Sequence, residues 1–260
     1  MNSFADAISL RPGDEGRWTA HAHHDHESIN AMFGGWTAAV ALNAIVSTTD
    51  GTRSPSAVTV NYLGAVTPGD DVEITVEHLG GSRSIDHWRA DLHSATDGHR
   101  VGAAMAVMTS RRDTDPHDQF TMPDVPEPET LAEFHAPGTQ GQQTMIRPVK
   151  GEFGSGDTAG THWLRVQSDR PLDHVQLVYL ADQYAPRSFY WGEGPRPSAT
   201  ITMSVYFHAV PEELARVGTD YVLLDAVGTR GAHATSGQAA RIWSRSGRLL
   251  ATTEQLCWYR

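Results

Sequence analysis

The feature that most constrains this chain is that it writes one succession of elements twice. RSPSAVTVNYLGAV at residues 53–66 returns as RPSATITMSVYFHAV at residues 196–210. Self-similarity at a spacing of about 145 residues is the mark of an internal duplication. Around the first copy, FGGWTAAVALNAIV (33–46) opens on two glycines and is apolar on nearly every side, the pattern of a buried helix. AVTVNYLGAV (57–66), DVEITVEHLG (71–80), DHWRADLHSA (86–95) and RVGAAMAVMTS (100–110) read as strands, separated by the turn signals TPGD, GGSRS and TDG. Upstream, GRWTAHAHHDHE (16–27) alternates well enough to predict one more strand.

The second copy follows the same order. GTHWLRVQ (160–167) reads as a strand and PLDHVQLVYLADQYAPRSF (171–189) as a helix. ATITMSVYFHAV (199–210), DYVLLDAVGTRG (220–231), TSGQAARIWSRS (235–246) and RLLATTEQLCWYR (248–260) are the matching strands. Gly98 and Gly247 fall in equivalent hairpins. Between the copies, residues 111–150 are rich in Pro, acid and Gln and lack a sustained apolar period, which predicts a linker.

Each half therefore holds one buried helix and an antiparallel sheet of four or five strands. A sheet with one apolar face must cover it, and wrapping it around the helix does so. Such a unit leaves an unpaired sheet edge, which two halves remove by pairing side by side. The expected fold class is α+β: residues 1–112 as the first repeat, 113–150 as linker and 151–260 as the second repeat. The competing arrangement is two independent α+β domains on a string.

Composition narrows the partners. A net charge of −11 argues against a nucleic-acid surface. The single cysteine, Cys257, excludes an intramolecular disulfide and a cysteine-built zinc site. The first residues lack a basic and apolar leader pattern, and no apolar run approaches the ~18 residues of a membrane span, so a cytoplasmic chain is the expectation.

FGGW and NYLGAVTPGD in the first half, with LADQYAP, ATITMSVYFHA and LLATTEQ in the second, resemble the acyl-CoA thioesterase II family of double hot-dog proteins over nearly the whole chain. The resemblance implies two tandem hot-dog repeats, hydrolysis of an acyl-CoA to a free acid and CoA, no cofactor or metal, and assembly into homo-oligomers. Carried over position by position, it implies that Asp182, Thr200 and Gln255 position the attacking water. The residues suit that chemistry, because a thioester already has a good leaving group and needs mainly an oriented water and oxyanion stabilisation. A carboxylate can take the water's proton, while a hydroxyl and an amide orient it. No G-x-S-x-G elbow is present, and Cys257 has no evident histidine partner in sequence, so a covalent acyl-enzyme is not expected.

Gly34 and Gly35 are expected to present helix N-terminal amides to the thioester oxygen, and Trp36, Met203 and Tyr206 to line an acyl pocket. Ala106 aligns with Gln255, either Val58 or Ser56 with Thr200, and no acid of the first helix with Asp182, which predicts one active site, in the second half. The histidine-rich HAHHDHE (21–27) lacks the spacing of a metal set, and Arg83 is a solvated turn residue unless it meets a coenzyme A phosphate. A hot-dog hydratase would carry an Asp and a His five residues apart; here Arg187 follows Asp182. The remaining alternative is a protein that binds acyl-CoA without cleaving it.

Overall fold

The computed structural model describes residues 3–29 and 31–260. In the first half the elements are α1 (Phe4–Ala7), β1 (Leu10–Pro12), β2 (Arg17–His21), α2 (Gly34–Thr48), β3 (Ser54–Tyr62), β4 (Asp71–Gly81), β5 (Ile85–Ser94) and β6 (Arg100–Thr109). In the second they are β7 (Thr144–Lys150), β8 (Gly160–Val166), α3 (His174–Leu180), β9 (Ser198–Phe207), α4 (Pro211–Val217), β10 (Val222–Ala232), β11 (Thr235–Ser244) and β12 (Leu249–Tyr259).

Period-two alternation decides which face is covered. Val72 and Ile74 of β4, Ala90 and Leu92 of β5, and Met203 and Val205 of β9 all turn inward. They meet α2, whose Ala38 to Leu42 are wholly buried, and α3 packed beside it. The twelve strands form one sheet in the order β1-β2-β4-β5-β6-β3-β9-β12-β11-β10-β8-β7. Its two halves mirror each other and meet where β3 pairs antiparallel with β9, Val58 facing Val205 and Val60 facing Met203. The halves thus join through a continuous sheet rather than as beads on a string.

Even the irregularities are duplicated. In the β3–β6 ladder Pro55 pairs with Met108 and Ala57 with Val107, leaving Ser56 bulged. In the β9–β12 ladder Thr200 pairs with Cys257 and Thr202 with Leu256, leaving Ile201 bulged. Superposing the bulges puts Ala106 at the place of Gln255, as the sequence comparison expects. It puts Pro55, not Val58 or Ser56, at the place of Thr200. Both copies carry the bulge at the same place, so the paired register gives the equivalence, which matching the tripeptides or the strand ends in sequence misses.

Several expected boundaries move. The strand at 16–27 stops at His21 and gives way to a single 3-10 turn, His24–His26. The helix expected over 171–189 is only His174–Leu180: the Asp173 carboxylate caps its start on the Gln176 amide at 2.8 Å, and the segment before Pro186 turns away from helical geometry. The linker ends in a strand, β7, whose Pro148 is tolerated because β7 is the outer edge of the sheet. Met122, Val125 and Leu131 of the linker pack over Trp163, Tyr221 and Trp243, and the Trp163 indole donates to the Pro126 carbonyl at 2.9 Å.

Trp36 ties the N-terminal segment down. Its side chain is wholly buried and its indole N–H donates to the Ala7 carbonyl at 2.7 Å; Asn43 donates to Ile8 at 2.8 Å. Trp36→Phe keeps most of the apolar contact but leaves that carbonyl without its donor, so urea unfolding is expected to show a loss of about 1–3 kcal/mol.

Among the described residues, no helix is long and apolar enough to cross a membrane.

Candidate active site

Asp182 lies just beyond α3, in a turn where its amide bonds back to Tyr179. Helices α2 and α3 run side by side in opposite senses, so this turn abuts the first residues of α2. The approach is very close: a Cβ added to Gly34 would sit 2.7 Å from Asp182 Oδ2. Position 34 therefore needs glycine for room beside a carboxylate, while its backbone angles are ordinary.

Strands β9 and β12 complete the cluster. Gln255, nearly buried, donates from Nε2 to Asp182 Oδ1 at 2.9 Å. Thr200 donates its hydroxyl to Gln255 Oε1 at 3.4 Å. The three polar residues singled out from the sequence are thus brought together from a turn and two neighbouring strands. Asp182 stands outside the helix to which sequence reading assigned it, because α3 ends at Leu180.

The glycines divide their tasks. The Gly35 amide, in the first turn of α2, favours the ionised form of the Asp182 carboxylate. A Cβ on Gly35 would lie 2.7 Å from the Tyr179 carbonyl oxygen, making this the point where α2 and α3 touch. Trp36 turns away into the core contact with Ala7 described above, and Tyr206 is exposed on the outer face, while Met203 borders the cluster with its sulfur 3.4 Å from Gln255 Nε2.

Burial sets the electrostatics. Loss of solvent pushes the Asp182 carboxyl up to about 7, against the opposing pull of the Gln255 amide and the Gly35 N–H. The N-terminus of a 15-residue helix adds a further favourable field for the ionised form. Burial, reinforced by Asp182, also holds the Tyr62 and Tyr184 phenols protonated. The Cys257 thiol is pushed up to about 12, chiefly by burial, and is no thiolate nucleophile at neutral pH.

Two contributors escaped sequence reading. Arg187 is wholly buried; its guanidinium donates to the Ala185 carbonyl at 3.0 and 2.7 Å and lies 4.2 Å from the centre of the Tyr190 ring. It pins the segment that links Asp182 to β9. Gln238 of β11 donates to Gln255 Oε1 at 2.8 Å. Its sequence signal is a long amide on the inward face of an alternating strand, between Ser236 and Ala240.

The first half offers a contrast at the corresponding positions. Pro55 takes the place of Thr200, Ala106 that of Gln255, and Trp88, which pairs with Ala106 as Gln238 pairs with Gln255, that of Gln238. The equivalent space, between the end of α2 and the start of α3, is an open groove of about 880 Å³ bordered by Pro55, Arg111, Arg170 and Asp173. Asp173 there is engaged in capping α3 and pairing with Arg170.

The histidines of residues 21–27 take different hydrogen-bond partners, although the His21 and His23 rings meet edge to face at 4.6 Å. His21 bonds Asp71 at 2.8 Å, His24 lies 3.4 Å from Glu27, and His26 turns inside to the Tyr179 hydroxyl at 3.1 Å. No group of three or more His, Cys, Asp or Glu side chains among the described residues could hold a metal ion.

Comparison with known proteins bears on this geometry. The family description "Acyl-CoA thioesterase N-terminal domain" matches residues 22–110, and "Acyl-CoA thioesterase C-terminal domain" matches residues 111–259. A solved hot-dog protein of unknown function from Alicyclobacillus acidocaldarius is 32% identical over 100% of this chain and 98% of its own, with a TM-score of 0.94. The TesB protein of Mycobacterium avium subsp. paratuberculosis is 21% identical, with 98% and 97% coverage and a TM-score of 0.80. The acyl-CoA thioesterase II TesB2 of Mycobacterium marinum is 17% identical, with 98% and 97% coverage and a TM-score of 0.78. At those identities the two mycobacterial structures speak for the fold. No curated protein matches the chain.

Proposed function

Since this chain belongs to the acyl-CoA thioesterase family, the double hot-dog thioester hydrolases, we propose that Asp182 is the general base that activates water against the acyl-CoA carbonyl. The observation that carries this reading is a half-buried carboxylate that accepts from Gln255 and lies against the first residue of a long helix, with the Thr200 hydroxyl bonded to the same Gln255 amide.

In the proposed reaction Thr200 and the free lone pairs of Asp182 hold a water. Asp182 takes one of its protons as the oxygen bonds to the thioester carbon. Negative charge moves to the carbonyl oxygen, where the Gly34 N–H at the start of α2 receives it. Collapse of the tetrahedral species breaks the C–S bond, and Asp182 returns its proton to the departing sulfur. The free acid and CoA leave, and the carboxylate is restored. A carboxyl held near 7 suits both transfers, since it can take and return a proton at neutral pH.

One site per chain belongs to the same proposal. The reacting residues come from the second repeat, placed at 151–260, while the first, placed at 1–112, lends the start of α2. Pro55, Ala106 and Trp88 stand in its own counterpart position where the second repeat has Thr200, Gln255 and Gln238, so that hydroxyl and those two amides are missing there.

The test is release of free thiol from acyl-CoAs graded from acetyl to palmitoyl, followed from pH 5 to 9. Turnover is expected for part of the series, with kcat rising with pH, half-maximal near 7 and level above, because the base must be ionised. A protein that binds these thioesters and releases no thiol is a binding protein, and a flat profile removes Asp182 as the base.

A further inference from the structure

A primary amide rotated by half a turn occupies the same space with its oxygen and nitrogen exchanged. Something must therefore decide that Gln255 shows Asp182 its nitrogen. Reversed, it would set an oxygen against a carboxylate and leave the attacking water beside two acceptors.

The hydrogen bonds behind Gln255 have a single direction. The Arg187 backbone N–H donates to Gln238 Oε1 at 2.8 Å, Gln238 Nε2 donates to Gln255 Oε1 at 2.8 Å, and Gln255 Nε2 donates to Asp182 Oδ1 at 2.9 Å. A backbone N–H can only donate, so it selects the orientation of Gln238, which in turn selects that of Gln255. Both amides are nearly free of solvent, at 2% and 5% exposure, so water does not compete for these bonds.

We propose that Gln238 is a positioning residue for hydrolysis, relaying the donor character of the Arg187 amide through Gln255 to the base. This rests on Asp182 acting as the base. The first repeat shows that the fold itself does not need the pair: the same cross-strand positions there are Trp88 and Ala106. Arg187 is positioned for the task because its buried guanidinium, bonded to Ala185 and Thr158 and stacked on tyrosine, fixes its own backbone. The other ionisable groups around Asp182 are Tyr62 of β3, Tyr179 of α3, Tyr184 of the following turn and Cys257 of β12, with Arg187 beyond them.

Two variants test the relay. Gln238→Met and Gln238→Leu both remove the amide, the first keeping an unbranched side chain and the second a branched one. In both, kcat is expected to fall about tenfold or more with KM changed less than twofold. The Asp182 carboxyl, followed by ¹³C NMR and assigned by its absence in Asp182→Asn, is expected to titrate at least half a pH unit higher, and the acid limb of the rate profile to move with it. A purely structural loss would change stability without moving that titration. An unmoved titration in a folded variant overturns the relay whatever the activity, whereas full activity in Asp182→Asn overturns the base assignment and with it the part of Gln238 in hydrolysis, leaving only the directed hydrogen bonds. Should Gln238→Met fail to fold, Gln238→Leu carries both readings.

Discussion

Asp182→Asn is expected to be nearly inactive and more stable than the wild type. Removing a general base costs about 10²–10⁴-fold in rate, and here KM should be unaffected, because the amide fills the same space and its oxygen still accepts from Gln255. Stability moves the other way. The carboxyl is raised from 3.8 to about 7 in the folded protein, mainly by burial. Between those values the folded state binds more protons than the unfolded chain, so the wild type loses stability as pH rises through this window. Asparagine carries no charge and escapes the penalty.

The expected gain is about 2–4 kcal/mol above pH 7, vanishing below pH ~4. Buried histidines slope oppositely: His26, His162 and His174 are each drawn down to about 4 by burial, so their contribution is full above 6.5 and lost as pH falls through 4. The variant and the wild type share that slope, and the difference between their urea midpoints at each pH isolates Asp182. A variant with equal stability at pH 8 would mean that the carboxylate bears no burial penalty.

Gly34→Ala and Gly35→Ala, one residue apart, are expected to fail in different ways. At Gly34 the new methyl meets the Asp182 carboxylate, with the Tyr62 ring at 3.4 Å. The carboxylate is the end of a side chain and can rotate aside, so folding changes by less than about 1 kcal/mol while kcat falls about 10–100-fold through misplacement of the base. At Gly35 the methyl meets the Tyr179 carbonyl, a backbone atom of α3, and the Phe33 ring. Relief there requires the helices to part, an overpacking cost of about 1–3 kcal/mol or more, which outweighs the ~0.5–1 kcal/mol that alanine gains over glycine in a helix. Thermal melts beside thiol-release assays separate the two. A stable, fully active Gly34→Ala would sink the close-approach argument.

What the sequence carried by itself was the architecture. Apolar periodicity is a local property of each segment, and its repetition at long spacing is visible in one dimension, so two helix-and-sheet halves and their joining edge were legible from residues such as those of 33–46, 57–66 and 199–210. β7 was not, because Pro148 and the glutamine-rich approach conceal a strand that only an edge position tolerates. The order Asp182, Thr200, Gln255 was legible through resemblance to a family. Tertiary structure decided the rest. The bulge that aligns Thr200 with Pro55 exists only in paired strands. The contact of Asp182 with Gly34 joins residues 148 positions apart, and the directed bonds from Arg187 through Gln238 to Gln255 cross a turn and two strands. Hydrogen-bond direction and close approach are relations between elements, and a residue's neighbours in sequence do not specify its neighbours in space.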